Sequence, residues 1–592
     1  MWDGDTSWGA ERIVIDSRSL EQIKELVKDT ASGGPEYCGN MKVGYNPYFG
    51  YAVKDFVRDQ DSEHSEECIP RIGDGQGIWH THPLGLCTAS EIDFNTMIED
   101  AEVAIRGITP GIPPIDLVMT LKEGELCIKG YLPTWRVRYK VLGTYPYIIE
   151  SIGPVVSGNI FNHPAYDYYG IYVEEKEDVL TKAKYYSIKV LGELQSEKTR
   201  TSENYGVYVG SQVPPHGFNV ILAFMSQFRK EFWVYHELYG LMRIRVESAE
   251  PTVAEVQVSV ESIGFGREKR LERLEKDHGY PLSKVSDKTA AVLGIGFLGT
   301  RVVEALGSYV GKLIVVDIDG VGSENLGYQS LYSIEDLGKY KVNAIASELL
   351  KRHLGLRVVP VRSLVPLPMH GLSQVLEDIV SKSDLVIVNF DTFEPRLTVQ
   401  LAANKYRKPL IDIAVEVDSG NVWIWYPGSG LSCIGCYIVG KTEGTVRRSV
   451  YASRPQLASI LSGIATEIAL NILLGKVPKY NRVRVSLNGD EPKVETSAVK
   501  EDSECPYHRE KCEVALELAD LLGDNAKIVL EVEPWRNIDE LAEELTKSFV
   551  GPLEIVARRR DESESITNLT VASLCQLRRL GYQLLLRRAA KS

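Results

Sequence analysis

The sequence predicts a multidomain protein of mixed α/β and α+β class, and three observations carry that expectation. Its 592 residues exceed what one hydrophobic core organises, so three or four domains are expected. Between residues 290 and 316 a short apolar strand, a glycine-rich turn, a helical stretch and a second apolar strand follow one another. That order is the signature of a doubly wound, Rossmann-like parallel sheet. Residues 136–258 are rich in tyrosine and valine in short strand-like runs, the pattern of a β-rich region.

Composition narrows the class. Hydrophobic residues make up 44% and charged residues 25%, ordinary for a globular protein in water. A net charge of −14 argues against a nucleic-acid binder, which needs a basic face. The chain opens Met1-Trp2-Asp3-Gly4-Asp5, acidic and polar, unlike a signal peptide. The most apolar long segment, 457–474, contains Glu467 and Asn471 and is expected as a buried helix rather than a membrane span. Nine cysteines do not suggest a secreted disulfide scaffold. A cytoplasmic protein without nucleic-acid or membrane partners is expected.

The N-terminal chemistry lies in His80-Thr81-His82-Pro83, followed by Ser90 and Asp93. The lead-in 77–79 is strand-like, and alternate strand residues share a face, so His80 and His82 point the same way. Pro83 ends the strand, and Thr88 or Ser90 caps a helix with Asp93 in its first turn. Two imidazoles and a carboxylate are three zinc ligands, the number that leaves a fourth position for water. Surface histidines would explain the pair alone but not the whole set. Upstream, Glu36 in Glu36-Tyr37-Cys38-Gly39 follows an amphipathic helix bearing Leu20, Ile23, Leu26 and Val27. Together these residues resemble the JAMM (MPN-type) metalloprotease family. The resemblance implies an MPN-like mixed sheet with helices over 11–135 and a catalytic zinc on His80, His82 and Asp93. It also implies Glu36 as general base and Ser90 as donor to the oxyanion.

In the C-terminal half, strand 290–293 runs into Gly294-Ile295-Gly296-Phe297-Leu298-Gly299. A helix with Val302, Val303, Ala305 and Leu306 follows, and strand 313–316 ends at Asp317-Ile318-Asp319. Glycines let the backbone approach phosphate, and a helix N-terminus favours its charge. Alone, this would equally suit an NAD-dependent dehydrogenase. The residues beyond decide: Asp319, Glu324-Asn325-Leu326, Gln329 and Lys341, then 383–388 leading to Asp391 and Arg396. They resemble the ThiF/MoeB-like adenylating family, which includes the ubiquitin-activating enzymes. The resemblance implies ATP held by Gly294, Gly296, Gly299, Asp319 (ribose), Asn325, Gln329 and Lys341 (phosphate). It places Mg²⁺ on Asp391, and one carboxylate suffices when phosphates supply the other ligands. Tyr328 stands where the family has arginine, which removes a charge-assisted phosphate contact. Either another basic residue substitutes or adenylation is weakened. The family also draws an arginine from a partner subunit, here Arg270 or Arg273 on the charged run 268–274, which a solvated helix face explains equally well.

Cys433-Ile434-Gly435-Cys436 and Cys505-Pro506-Tyr507-His508 supply four ligands, a closed structural zinc site. The family has two C-x-x-C pairs in these places, so His508 is a departure and Cys512 an alternative fourth ligand. No cysteine lies between Cys436 and Cys505. The resemblance therefore implies the MoeB-like mode, an acyl-adenylate passed to sulfide or another protein, with Cys512 and Cys575 as remaining candidate nucleophiles.

The expected organisation is a JAMM/MPN-like domain at 11–135, a β-rich domain at 136–258, an adenylating domain at 259–512 and a small α+β appendage at 513–592. Within the second, strands are expected at 220–224, 232–235 and 241–245, a helix near 180–191, and His216 in a loop. In the appendage, strands at 527–532 and 553–555 flank a helix at 539–549, and a final helix covers 571–585. No internal repeat is visible. Both resemblances together imply a bifunctional enzyme acting on a ubiquitin-like or sulfur-carrier β-grasp protein with a C-terminal glycine. One half hydrolyses the amide after that glycine; the other, as a homodimer, adenylates the exposed carboxylate. The alternative is a single-activity JAMM peptidase with a degenerate ThiF-like binding module.

Overall fold

The computed structural model describes residues 12–60, 77–83, 85–105, 115–152, 168–178, 181–192, 201–261, 266–279, 281–365, 371–439, 453–489, 491–522, 526–549, 552–559, 562–566 and 570–589. The chain forms two compact units, Met1–Ser283 with Asn343–Pro360, and Lys284–Val342 with Val361–Ser592.

The first unit is built on one twelve-stranded sheet. Its strands are β1 (Arg12–Asp16), β2 (Cys38–Asn46), β3 (Gly50–Arg58), β4 (Gly77–Thr81), β5 (Asp116–Lys122) and β6 (Glu125–Tyr145), then β7 (Tyr147–Ile152), β8 (Tyr168–Glu177), β9 (Lys184–Gly192), β10 (Tyr205–Val209), β11 (Glu231–His236) and β12 (Gly240–Glu261). They lie in the order β1-β3-β2-β4-β5-β6-β12-β11-β10-β8-β9-β7, and β1 also pairs with β12. The long strands β6 and β12 run antiparallel from Tyr145–Leu241 to Gly130–Val256. The expected boundaries at 135–136 and 258–259 therefore fall inside β6 and β12. Two cores sit on the sheet, one around Ile13, Trp79, Leu117 and Leu132, the other around Val207, Phe218, Ile221 and Phe232. Helix Glu91–Ile105 reaches the second core through Ala101 and Ile105, and the Trp135 indole N–H donates to Ala101 O at 2.7 Å.

Three expected elements are corrected here. Residues 220–224 belong to helix Pro215–Ser226, not a strand, because an apolar run buried all round carries no period that separates the two. His216 lies in that helix's first turn, 2% exposed, against the Tyr51 hydroxyl, rather than in a loop. Around 180–191 the structure has β9 instead of a helix: Tyr185, Tyr186, Ile188 and Val190 favour a pleated strand.

In the second unit, β13 (Thr289–Leu293) and β14 (Lys312–Asp317) are followed by β15 (Arg357–Arg362), which crosses from the first unit into the second. Then come β16 (Leu385–Val388), β17 (Leu410–Val415), β18 (Ser419–Trp425), β19 (Arg482–Ser486) and β20 (Lys493–Ser497). Their order within the unit is β14-β13-β16-β17-β18-β19-β20, parallel as far as β17 and antiparallel beyond. The chain leaves β13 between β14 and β16, the switch point where open α/β sheets bind ligands beyond their strand ends. Helix Pro455–Leu473 is long and apolar enough to cross a membrane, but it is mostly buried inside the protein.

The appendage is a sheet of β21 (Cys512–Glu517), β22 (Lys527–Val532), β23 (Leu553–Arg559), β24 (Glu562–Ile566) and β25 (Gln583–Arg588), in the order β22-β21-β25-β23-β24. Its helices are Ile538–Thr546 and Val571–Arg579. The last helix is shorter than expected because Gly581, at φ +85°, ends it in the left-handed conformation, and β25 follows.

Cys87, in the turn before helix Glu91–Ile105, forms a disulfide with Cys127 of β6, and Cys38 is disulfide-bonded too. The cysteine count alone did not indicate these bridges. A crosslink closing this loop restricts the unfolded chain, so Cys87→Ser is expected to destabilise the first unit by about 2–4 kcal/mol, read as a lower denaturant midpoint for its transition.

Candidate functional site

Strand β4 lies between β2 and β5, so its backbone is paired on both sides, with Cys38 and Val118 opposite His80. His80 Nε2 stands 3.1 Å from His82 Nε2 and 3.6 Å from Asp93 Oδ1, while His82 Nε2 is 3.2 Å from Asp93 Oδ2. Both imidazoles are 6% exposed. Metal–ligand bonds of about 2.0–2.2 Å around one tetrahedral ion put the ligand atoms about 3.3–3.5 Å apart, so this set fits zinc. Asp93 is set by a reciprocal cap: Ser90 N donates to its Oδ2 at 2.6 Å, and Asp93 N donates to Ser90 Oγ at 3.1 Å. The Ser90 side chain also hydrogen-bonds the Asp93 carboxylate and helps to hold it charged. Glu36 precedes Tyr37, whose carbonyl accepts from Thr81 N at 2.8 Å, which places Glu36 at the end of β4 that bears His82.

One residue of this site was missed from the sequence. Asp116, 4% exposed, has Oδ1 3.3 Å from His80 Nδ1, a charge contact on the side of the ring opposite Nε2, which faces the other ligands. The available signal was an acid heading the otherwise apolar strand 117–121. Burial opposes the charged imidazole, but Asp116 and then Asp93 outweigh it, and His80 is pushed up to about 10. Burial likewise opposes the Asp93 carboxylate, yet His80 and His82 hold it well below the usual carboxylate range.

At the switch point, Gly294 has φ +91°, and a Cβ on Gly299 would lie 2.0 Å from Gly294 O, so both must be glycine. A Cβ on Gly296 meets nothing within 4 Å, so that position is open to a ligand. Asp317 Oδ2 accepts from Ile295 N at 2.7 Å and fastens the loop to the end of β14. Lys341 Nζ lies 3.2 Å from Asp319 Oδ2, and Lys341 N donates to Asp319 O at 3.0 Å. Asn325 Oδ1 accepts from Gly322 N at 2.9 Å, and Gln329 N donates to Asn325 O at 2.9 Å. Gln329 Oε1 and Asn389 Oδ1 are buried without hydrogen-bond partners among the described residues, which suits a polar ligand beside the loop. Asp391 lies two residues beyond Asn389, whose N donates to Leu293 O at 3.0 Å, and so shares this strand end.

Tyr328 stacks on Phe297 with ring centroids 4.2 Å apart and planes 6° apart, and its hydroxyl accepts from Ser453 N. Sequence reasoning missed Arg301: its guanidinium lies 4.7 Å from the Phe297 centroid and donates to Phe297 O at 2.6 Å and Tyr328 O at 3.3 Å. Arg273 is exposed on helix Gly266–His278, and the side chain of Arg270 lies outside the described residues.

Cys433 Sγ is 3.8 Å from Cys436 Sγ and from Cys505 Sγ, and His508 Nδ1 is 3.4 Å from both Cys433 and Cys436. Metal–sulfur bonds of about 2.3 Å give tetrahedral S···S edges of about 3.8 Å, so the cluster fits a closed zinc site. Cys512 is not part of it: it packs in the appendage core, with Cys575 against the same core.

A zinc ion bound at His80 would have to displace the proton that Asp116 and Asp93 favour. Loading is therefore expected to release about one proton at pH 7–8 and to weaken about tenfold per unit as pH falls. Titration calorimetry in two buffers of different ionisation enthalpy reads this; identical heats in both would contradict it.

Comparison with known proteins bears on the stretch that contains the second site. Residues 266–512 match the ThiF family. Ubiquitin-like modifier-activating enzyme 5 of Caenorhabditis elegans is 27% identical over 238 residues, 37% of this chain and 56% of its own length. Ubiquitin-like modifier-activating enzyme ATG7 of Kluyveromyces lactis is 24% identical over 278 residues, 43% of this chain and 45% of its own. The sulfur carrier protein ThiS adenylyltransferase of Escherichia coli is 27% identical over 154 residues, 26% of this chain and 59% of its own. The chain thus spans about half the length of these relatives. A crystal structure of E. coli MccB with ATP covers 41% of this chain and 73% of its own at 19% identity and a TM-score of 0.35. The part of the chain that the comparisons reach, residues 266–512, is thus similar to the ThiF family.

Proposed function

We propose that this protein is a bifunctional enzyme for a ubiquitin-like or sulfur-carrier β-grasp protein, hydrolysing an amide after the carrier's C-terminal glycine and then adenylating the carboxylate released. The observation that carries the reading is the three-ligand set His80, His82 and Asp93, within 4.8 Å of one another, in a chain that also bears the ThiF-family domain. Bound there, zinc supplies a Lewis acid that makes water acidic near neutrality. Glu36 takes the water's proton and passes it to the leaving amine. Ser90 donates to the carbonyl oxygen as charge develops there. Asp116 keeps His80 in the ligating tautomer. Leu86 and Ile92, 59% and 60% exposed, flank Ser90 as apolar footholds for the substrate's tail.

In the adenylating half, the glycine loop and Lys341 hold the phosphates, Asp319 the ribose and Asp391 the magnesium. Arg301 supplies the guanidinium at the loop in place of Tyr328. The Cys433, Cys436, Cys505 and His508 cluster holds a structural zinc. A second reading, a peptidase with a non-catalytic ThiF-family module, is favoured by one observation: Tyr328 fills its place with an aromatic stack rather than a free cation.

ATP–pyrophosphate exchange by the full chain separates these readings. A carrier ending in free glycine is expected to support exchange with or without His80→Ala, whereas a carrier extended beyond glycine needs His80 intact. Exchange with no carrier, or none with either, would sink the bifunctional reading. Arg301→Ala is expected to raise the KM for ATP about tenfold, since a charge-assisted phosphate contact is lost; an unchanged KM would remove Arg301 from the site.

A further inference from the structure

The strand order of the first unit reads the same from either end. Parallel β1–β3, antiparallel β3–β2 and β2–β4, parallel β4–β5 and antiparallel β5–β6 make up one half. Parallel β7–β9, antiparallel β9–β8 and β8–β10, parallel β10–β11 and antiparallel β11–β12 make up the other. Each strand is replaced by the strand six later in the chain, every pairing keeps its direction, and the halves meet where β6 pairs with β12. A helix joins the fourth strand to the fifth in both: Glu91–Ile105 after β4, Pro215–Ser226 after β10. The repeat that the sequence hides is thus a repeat of topology.

Counting from strand and helix starts carries the three metal-ligand positions across. His80, fourth in β4, corresponds to Tyr208, fourth in β10. His82, just past β4, corresponds to Gly210, and Asp93, third in its helix, corresponds to Gly217. Two glycines and a buried tyrosine bind no metal, and no metal cluster is found in this half among the described residues.

The same strand end is nevertheless rich in buried hydrogen-bond donors, and these are engaged. Gln212 Nε2 donates to Leu356 O at 3.4 Å, Ser211 Oγ to Val358 O at 3.5 Å and the Tyr235 hydroxyl to Pro360 O at 3.3 Å. Leu356, Val358 and Pro360 are alternate residues, so their carbonyls form one edge of an extended chain. Asn343 is clasped between the Tyr147 hydroxyl, which donates to its Oδ1 at 2.7 Å, and Glu237 O, which accepts from its Nδ2 at 2.6 Å. Glu237, 1% exposed, accepts from the Tyr208 hydroxyl and from Ser211 N, and so stiffens the donors.

We propose that residues 147–261 are a second copy of the fold of residues 12–145 that has lost its metal ligands and turned the corresponding strand end into a docking socket for Asn343–Pro360. That segment lies within the residues that match the ThiF family. The socket grips the Asn343 side chain in helix Lys341–Arg352 and the backbone carbonyls of the extended stretch 356–360 that follows it. The loss of metal ligands rests on the proposed zinc site of the first copy; the socket does not.

Hydrogen–deuterium exchange on the full chain tests the socket. Tyr147→Phe, and separately Ser211→Ala with Gln212→Ala, are expected to speed amide exchange in 343–360 about tenfold, the scale of a lost buried hydrogen bond. Peptides covering 77–93 and the bound zinc should not change. Unaltered exchange in 343–360 would overturn the socket, and so would an equal loss of protection over 12–145, which would mark these residues as general supports of the core. His80→Ala with His82→Ala is the separate arm: losing no zinc there would refute the catalytic reading while leaving protection of 343–360 in place.

Discussion

Strands β6 and β12 hydrogen-bond from Tyr145–Leu241 to Gly130–Val256, and the remaining strands of the first unit extend from that pair. One face of the arrangement begins with β5 on β6, the other with β11 on β12. The order of β4, and with it the direction in which His80 and His82 point, is set by this spine through β5. The helix that carries Asp93 is held from the far side as well, since Ala101 and Ile105 belong to the core formed mainly by the second half of the sheet. A ligand set drawn from a strand end and a helix start keeps its geometry only while both elements keep their angle, and the spine fixes that angle.

The two candidate metal sets differ in the way their chemistry requires. Cys433, Cys436, Cys505 and His508 complete a tetrahedron from protein atoms, so an ion there can only hold chain segments together. His80, His82 and Asp93 supply three corners only, and the exposed Ser90 caps the helical turn that carries Asp93. The buried Asp116 carboxylate behind His80 sharpens this difference, because it adds negative charge to a site that would otherwise carry one carboxylate.

Much of both sites was legible because the residues that make them are local. His80-Thr81-His82, Ser90 with Asp93, and the glycines 294, 296 and 299 each fall within one strand–turn–helix, where spacing dictates geometry. Asp116 and Arg301 were not legible for the opposite reason: Asp116 meets His80 across a parallel strand pair, and Arg301 meets Tyr328 through the packing of separate segments. The same limit explains the fold. Helix 215–226 reads as a strand because an apolar run buried all round carries no period, whereas β9 is a strand because its tyrosines and β-branched residues favour the pleated sheet. The duplication left no trace in residue identity, since β10 and β4 share a place in the sheet rather than a sequence.

The parallel pairing of β1 with the last residues of β12, Arg12 with Gln257 through Asp16 with Glu261, sets an order of events during synthesis. Strand β1 cannot find one of its two neighbours until the end of β12 has been made. Contacts so distant along the chain fold slowly and leave a strand edge waiting. The first unit is thus expected to mature late and as a block, and a nascent chain stalled before residue 261 would present an unpaired β1 edge, the kind of surface that chaperones hold and neighbouring chains invade.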